Sequence, residues 1–496
     1  MGERIVQVKR LRSVGEFRAH LADLGAELPV ADSVDPAGAL AQPLQGCGGV
    51  LGERIANRWA ILPMEGWDAT AEGRPSELVQ RRWRRFGESG AALIWGGEAV
   101  AVVPEGRANP HQLCIGANSI GDLAALREEL LGAHARVHGR ASADRVVVGL
   151  QLTHSGRWSR PTGEPAPMTA HTDPLLDERV GAGAHCVVSD AYLEELVGSF
   201  VHAATVAHEA GFDFVDVKQC HGYLGHELLS GVGRPGPYGG DLAGRSRWVT
   251  SVLRAIRLAV PAMGLASRLS LYDMSPHLRG PDGTGVPAPG PRFCFGGDAA
   301  VGGVDLAETH ELIDALAREG AELLCATAAS PYYAPHGQRP AYFPPSDGYA
   351  PPQDPLLQVA AMAAATREVS ARHPGLLVVG SGLTYCQDHL PNVAQALVEQ
   401  GWMDVAGIGR MALSAPGLPA DTLAGRPTER RRVCRTFSDC TTAPRHGLVS
   451  GCYPLDEFYR ERPERTRLAA VKRGLRGESS PRGRARGPEG DGGDGR

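Results

Sequence analysis

No apolar run in this chain approaches the ~20 residues a membrane helix needs; stretches such as Leu376 to Val379 end after one turn's worth of residues. The first residues, Met-Gly-Glu-Arg-Ile-Val, carry charge where an export signal requires an apolar core, and Val6 breaks the myristoylation pattern. No membrane contact is expected, and a cytoplasmic location is. A strongly basic face is also missing ahead of the C-terminal tail, and the net charge is −5, which argues against nucleic acid as a partner. The ten cysteines lack the spacing of a disulfide framework and read as reduced thiols. No repeat at solenoid periods occurs, and no G-x-G-x-x-G loop follows a strand, so neither a repeat array nor a separate dinucleotide-binding domain is indicated.

What is present is an alternation. The 496 residues, 43% apolar and 22% charged, are enough for a sizeable core. Short, continuously apolar segments predict strands at Trp59–Met64, Ala91–Trp95, Val146–Leu152, Phe212–Val217, Met263–Leu271, Glu322–Thr327, Leu376–Gly380 and Asp404–Ile408. Helical patterns lie between them, from Glu77–Glu88 to Val393–Gln400. Eight strands and seven intervening helices suggest an α/β fold, a (β/α)8 TIM barrel with long active-site loops; a doubly wound sheet has the same periodicity. The expected layout is an N-terminal extension over 1–45, a barrel over 46–428, a cysteine-containing segment over 429–462 and a low-complexity, disordered tail over 463–496.

Chemistry concentrates at strand ends. After the strand ending at Val217, polarity flips and Lys218, His221 and Tyr223 arrive together: a cation, an imidazole and a phenol where α/β barrels display catalytic groups. Gly380-Ser381-Gly382 and Gly407-Ile408-Gly409-Arg410 end the last two strands, the usual phosphate site of a barrel. Two long loops, Asp273 to Asp305 and Ser330 to Pro355, sit on the same face as lids or binding walls; the second carries Tyr332, Tyr333, His336 and Arg339.

Taken in order, Asn57-Arg58-Trp59-Ala60-Ile61-Leu62-Pro63-Met64, Glu98-Ala99 with Pro104-Glu105-Gly106-Arg107, Gln151-Leu152 with His154 and Gly156-Arg157, His221-Gly222-Tyr223-Leu224 with Tyr238 to Arg245, Arg268-Leu269-Ser270 and the two glycine loops form a series. It resembles the old yellow enzyme family of FMN oxidoreductases. The resemblance implies FMN at the barrel mouth and NAD(P)H as reductant, with hydride passing through flavin N5 to an electron-poor alkene, a small-molecule substrate. It implies that backbone around Pro63, Met64 and Ala99 borders the ring, that Gln151 and Arg268 meet its pyrimidine side, and that Ser381, Gly382, Gly409 and Arg410 hold the phosphate. Tyr223 corresponds to the proton donor, with His221 and the preceding pair member binding the substrate's oxygen.

Three departures matter. Lys218 replaces the usual histidine of that pair. Glu65 stands where a Thr or Cys usually tunes the flavin; an ion pair with Lys218 is the alternative reading. Longer relatives, such as dienoyl-CoA reductases and trimethylamine dehydrogenase, carry a 4Fe-4S cluster on four cysteines, whereas Cys434, Cys440 and Cys452 match three and Phe437 stands at the second position. No metal site is therefore expected. Three rival functions remain open at this stage: flavin-dependent amine oxidation or N-demethylation, a Schiff-base aldolase using Lys218, and a non-catalytic flavin-binding protein. Oligomeric state is open.

Overall fold

The computed structural model describes residues 5–290, 292–298 and 303–475. Eight parallel strands, β1 (Trp59–Ile61), β2 (Leu93–Ile94), β3 (Val147–Thr153), β4 (Phe214–Val217), β5 (Gly264–Ser270), β6 (Ala321–Thr327), β7 (Leu377–Gly380) and β8 (Val405–Ile408), pair each with the next. Closure comes from β1 against β8, with Trp59 opposite Ala406 and Ile61 opposite Ile408. The fold is thus a closed (β/α)8 TIM barrel, and the doubly wound sheet is excluded.

Seven helices alternate with the strands: α1 (Glu77–Gly87), α2 (Ser119–His138), α3 (Asp190–Glu209), α4 (Leu242–Ala259), α5 (Ala307–Arg318), α6 (Pro355–Arg372) and α7 (Leu390–Glu399). Local chemistry fixes several starts. The side chains of Ser76, Ser189, Asp241 and Asp354 each accept a backbone N–H from the first turn of α1, α3, α4 and α6, and Pro355 occupies the first position of α6, where it forfeits no hydrogen bond.

Alternate strand residues fill the barrel interior, among them Leu93, Val147, Phe214, Ala266, Leu323 and Val379, with Leu44, Leu51 and Ile55 packed against them. The opposite strand faces pack on the helices in a second, larger core. Residues 5–45, expected as an extension, contribute to both cores: Val8, Phe17, Leu21, Leu28 and Leu40 are buried, and Phe17 stacks on His389 at 4.5 Å. The segment lies along α7, where the Ala31 N–H donates to the Asn392 carbonyl.

The loop after β5 holds two-stranded pairs, His277–Arg279 with Gly285–Pro287 and Gly297–Asp298 with Gly303–Val304, not foreseen because two- and three-residue strands rich in Gly and Pro have no legible period. The expected tail from 463 begins with a helix, Glu464–Leu475; residues 476–496 lie outside those described.

Several buried histidines are held neutral. Burial keeps His154 and His336 down at about 3 and His134 at about 4. Below the ordinary value near 6.5 the unfolded chain binds protons that these folded imidazoles refuse, so their stability is present above that pH and is lost as pH falls. Together the three should cost roughly 4 kcal/mol between about pH 7.5 and pH 5.5, about 1.4 kcal/mol each. Denaturant unfolding at the two pH values checks this; equal stabilities would contradict it.

Candidate active site

The barrel mouth opens into a cleft. Its floor is set by a carboxylate inside the barrel. Asp216, on β4 and fully buried, accepts from Trp95 Nε1 (2.7 Å), from Gln151 Nε2 (2.6 Å) and from the Arg268 backbone N–H (2.6 Å). Burial raises its pKa while these three donors oppose the rise. One side chain therefore fixes Gln151 on β3 and Arg268 on β5.

Beyond Val217 the chain turns sharply. His221 has φ of 69° and Gly222 of 74°, the left-handed region, uncommon for a non-glycine residue and a mark of local strain at a site. A Cβ at Gly222 would come within 2.9 Å of Ser330 Oγ, so this position requires glycine. The turn is tied down by Ser330 Oγ donating to the His221 carbonyl (2.8 Å) and by the Gly222 N–H donating to His226 Nδ1 (2.8 Å). It delivers Lys218, His221 and Tyr223 to the cleft.

There they meet Glu65 from the loop after β1. The Tyr223 hydroxyl donates to Glu65, 2.8 Å from each carboxylate oxygen, and lies 3.2 Å from the Tyr332 hydroxyl. Lys218 Nζ is 3.4 Å from Glu65 Oε2 and 3.8 Å above the centre of the Tyr223 ring. The ion pair read as an alternative in the sequence is present. Burial, reinforced by the Glu65 carboxylate, pushes the Tyr223 phenol well above its ordinary value, so it keeps its proton. Burial, with the charges of Arg268 and Lys218, holds His221 neutral; its Nε2 is 3.0 Å from the Gln338 amide nitrogen and accepts from it.

The loop carrying Glu65 is itself anchored. Arg82 of α1 is buried and ion-paired with both Asp68 and Glu98, and Glu98 Oε2 also accepts the Gly66 N–H at 3.3 Å. These charges are buried and paired through Arg82, and they fix the residues beside Glu65.

Across the cleft lie Ser381, Gly382, Gly409 and Arg410. Ser381 Oγ donates to the Ala326 carbonyl (2.7 Å), and Gly382 takes φ of 85°. Arg410 Nη2 donates to the Pro340 carbonyl (3.0 Å), while its Nη1 is buried without a protein partner. Arg339 is in the same condition at Nε and Nη2, and Arg268 at Nε. Burial and the neighbouring charges of Arg445 and Arg410 push the Arg339 guanidinium down from its usual range.

Of the residues singled out in the sequence, Pro63, Met64, Glu65, Gln151, Lys218, His221, Tyr223, Arg268, Ser381, Gly382, Gly409 and Arg410 all line this cleft. Ala99 does not. It sits on a short buried strand, Ala99–Ala101, beside β3, with its carbonyl taken by Gln112 Nε2 at 3.0 Å. Asp216 was missed, although one carboxylate inside an apolar strand was a legible signal. Cys440, singled out in the sequence only as a cysteine of the cluster, lines the cleft with Thr441 and Arg445, all supplied by a helix far along the chain (Asp439–Arg445). Cys434 and Cys452 are buried thiols raised by burial, and Phe437 stacks on Phe343 at 5.3 Å. Among the described residues, no group of three or more His, Cys, Asp or Glu side chains is arranged to hold a metal ion.

Residues 50–280 match the NADH:flavin oxidoreductase / NADH oxidase family. Over 215 residues the chain is 31% identical to an NADPH dehydrogenase of Geobacillus thermodenitrificans, covering 42% of this chain and 57% of that protein. It is 28% identical to an NADPH dehydrogenase of Bacillus subtilis over 208 residues, 41% of this chain and 56% of that one. The match thus spans little more than half the length of these relatives. In fold the chain is similar to 2-naphthoyl-CoA reductase (TM-score 0.62, 16% identity, 88% of this chain and 58% of that one) and to morphinone reductase (TM-score 0.51, 20% identity, 79% and 91%).

FMN, the cofactor this resemblance implies, fits the residues present. The orphaned N–H groups of Arg339 and Arg410 form a crowd of buried cations that a phosphate would relieve. At Gly409 a Cβ would press within 3.3 Å of Met64 Sδ, so glycine keeps that wall open. The orphaned Arg268 Nε offers a buried cation to an electron-rich ring edge.

Asp216→Ala should cost roughly 3 kcal/mol in urea unfolding, since three buried donors lose their acceptor, and Asp216→Asn should recover part of it. A loss below about 1 kcal/mol for the alanine variant would contradict the anchoring role.

Proposed function

We propose, from the match of residues 50–280 to the NADH:flavin oxidoreductase / NADH oxidase family, that the chain is an FMN-dependent oxidoreductase of old yellow enzyme type, using NADPH or NADH to reduce a small electron-poor alkene. The observation that carries this reading is the convergence in one cleft of Tyr223, His221 and Lys218 with Gln151, Arg268 and the two glycine loops. FMN, when bound, supplies a carrier that takes a hydride from the nicotinamide and hands it on. Arg410, Arg339 and the backbone at Gly382 and Gly409 would hold its phosphate, and Gln151 and Arg268 its ring.

The protein's own residues supply orientation and the proton. Tyr223 keeps its proton at neutral pH because burial and Glu65 disfavour the phenolate, so it is a donor whenever an acceptor carbon is placed against it. An entering substrate competes with Glu65 twice, its carbonyl for the Lys218 ammonium and its reacting carbon for the Tyr223 hydroxyl. His221, neutral, adds a hydrogen-bonding edge without a further charge to desolvate.

One observation favours a second reading, amine oxidation: the Glu65 carboxylate at the reacting end would attract a cationic amine. Anaerobic bleaching of the flavin by amines would distinguish it. The aldolase reading loses its support, because the Lys218 ammonium is engaged by Glu65 rather than presented as a free amine.

Tyr223→Phe should keep FMN and NAD(P)H oxidation while slowing alkene reduction roughly 10²- to 10⁴-fold. Single-turnover mixing of pre-reduced enzyme with 2-cyclohexenone measures the step. An alkene rate within about threefold of the parent would remove Tyr223 from the role of proton donor.

A further inference from the structure

A second cavity adjoins the cleft and shares Trp67, Pro331, Tyr332 and Arg445 with it. Tyr332 is the hinge between them. Its hydroxyl is 3.2 Å from that of Tyr223, and its ring lies flat on Trp158, with centroids 4.3 Å apart and planes 6° apart. A ligand whose reacting end reaches Tyr223 has this outer cavity in line with its remainder.

The outer cavity is cationic. Arg160, Arg179, Arg279 and Arg445 line it, and Asp347 is the one carboxylate in that lining among the described residues. Asp347 is already ion-paired with Arg445. Arg179 is half-buried and spends its guanidinium on two backbone carbonyls, those of Tyr332 (3.3 Å) and His277 (3.0 Å). The chain as a whole carries −5, so this positive pocket runs against the sign of the molecule. Guanidinium groups present paired donors matched to the planar oxygens of carboxylates and phosphates.

We propose that the outer cavity is a subsite for the anionic tail, carboxylate or phosphate, of the ligand whose reacting end lies against Tyr223. This rests on the oxidoreductase reading for the identity of that end. The Trp158–Tyr332 stack forms an apolar floor between the two, and Arg160 and Arg279, the cations with no role in holding the backbone, meet the tail. The anion could belong to the electron acceptor or to the dinucleotide reductant.

The test uses the full chain loaded with FMN and the double variant Arg160→Gln, Arg279→Gln. For the acceptor, kcat/KM is compared for (E)-8-oxooct-6-enoate and its methyl ester. For the reductant, it is compared for NADPH and NADH, which differ by one phosphate. The proposal expects the variant to lower the acid-to-ester ratio, or the NADPH-to-NADH ratio, by about tenfold, and the ratio that falls identifies the source of the anion. Calorimetric titration with inorganic pyrophosphate, with and without FMN, reads the subsite independently of turnover; the variant should bind it at least about fivefold more weakly. Both ratios unchanged, with equal pyrophosphate affinity, would overturn the subsite. Failure to bind FMN or to oxidise either nucleotide would instead overturn the oxidoreductase reading, and pyrophosphate binding would still judge the cavity.

Discussion

A single carboxylate in the middle of the barrel, Asp216, sets the geometry on which the rest of the cleft depends. An ionisable group at that depth is unfavourable unless its lone pairs are filled, and here Trp95 just after β2, Gln151 on β3 and the Arg268 amide on β5 fill them. The hydrogen bonds are local to Asp216, yet their consequence is distant in sequence. They hold Gln151 and Arg268 on one wall of the cleft, and β4 continues from Asp216 directly into the strained turn that presents His221 and Tyr223. Rigid strands place the chemistry, and loops tune it.

The tuning is most evident at Glu65. The buried Arg82, Asp68 and Glu98 group holds the neighbouring residues, and the Glu65 carboxylate gathers Lys218 and Tyr223 around itself. This makes the resting site self-satisfied. An acceptor must displace an existing interaction before it can use either group, so discrimination at this end rests on how well a ligand replaces Glu65 as a partner. A carboxylate inside the reacting end and a cationic cavity outside it divide the cleft into regions of opposite preference.

The barrel was legible because its strands are buried on both faces and so read as unbroken apolar runs; every one of the eight was anticipated within a few residues. The motif order carried the cleft residues from Pro63 to Arg410. What was not legible is what depends on contacts between distant residues. Ala99 carries the right motif position, but pairing with β3 and Gln112 takes its backbone out of the cleft. Arg445 reaches the site through a helix that follows the barrel, and nothing in its neighbourhood of sequence marks it; Cys440, on the same helix, was marked only as one of three clustered cysteines, not as a lining residue of the cleft. Phe17 and Leu21, in the expected extension, gave no indication of which surface would bury them; that surface, beside His389 and α7, exists only once the barrel has closed.

The most direct measurement is the visible absorption spectrum of the purified full chain before and after anaerobic addition of NADPH. A yellow protein whose flavin bands bleach on reduction and return with air is the predicted result. A colourless protein that also fails to take up added FMN would contradict the account at its centre.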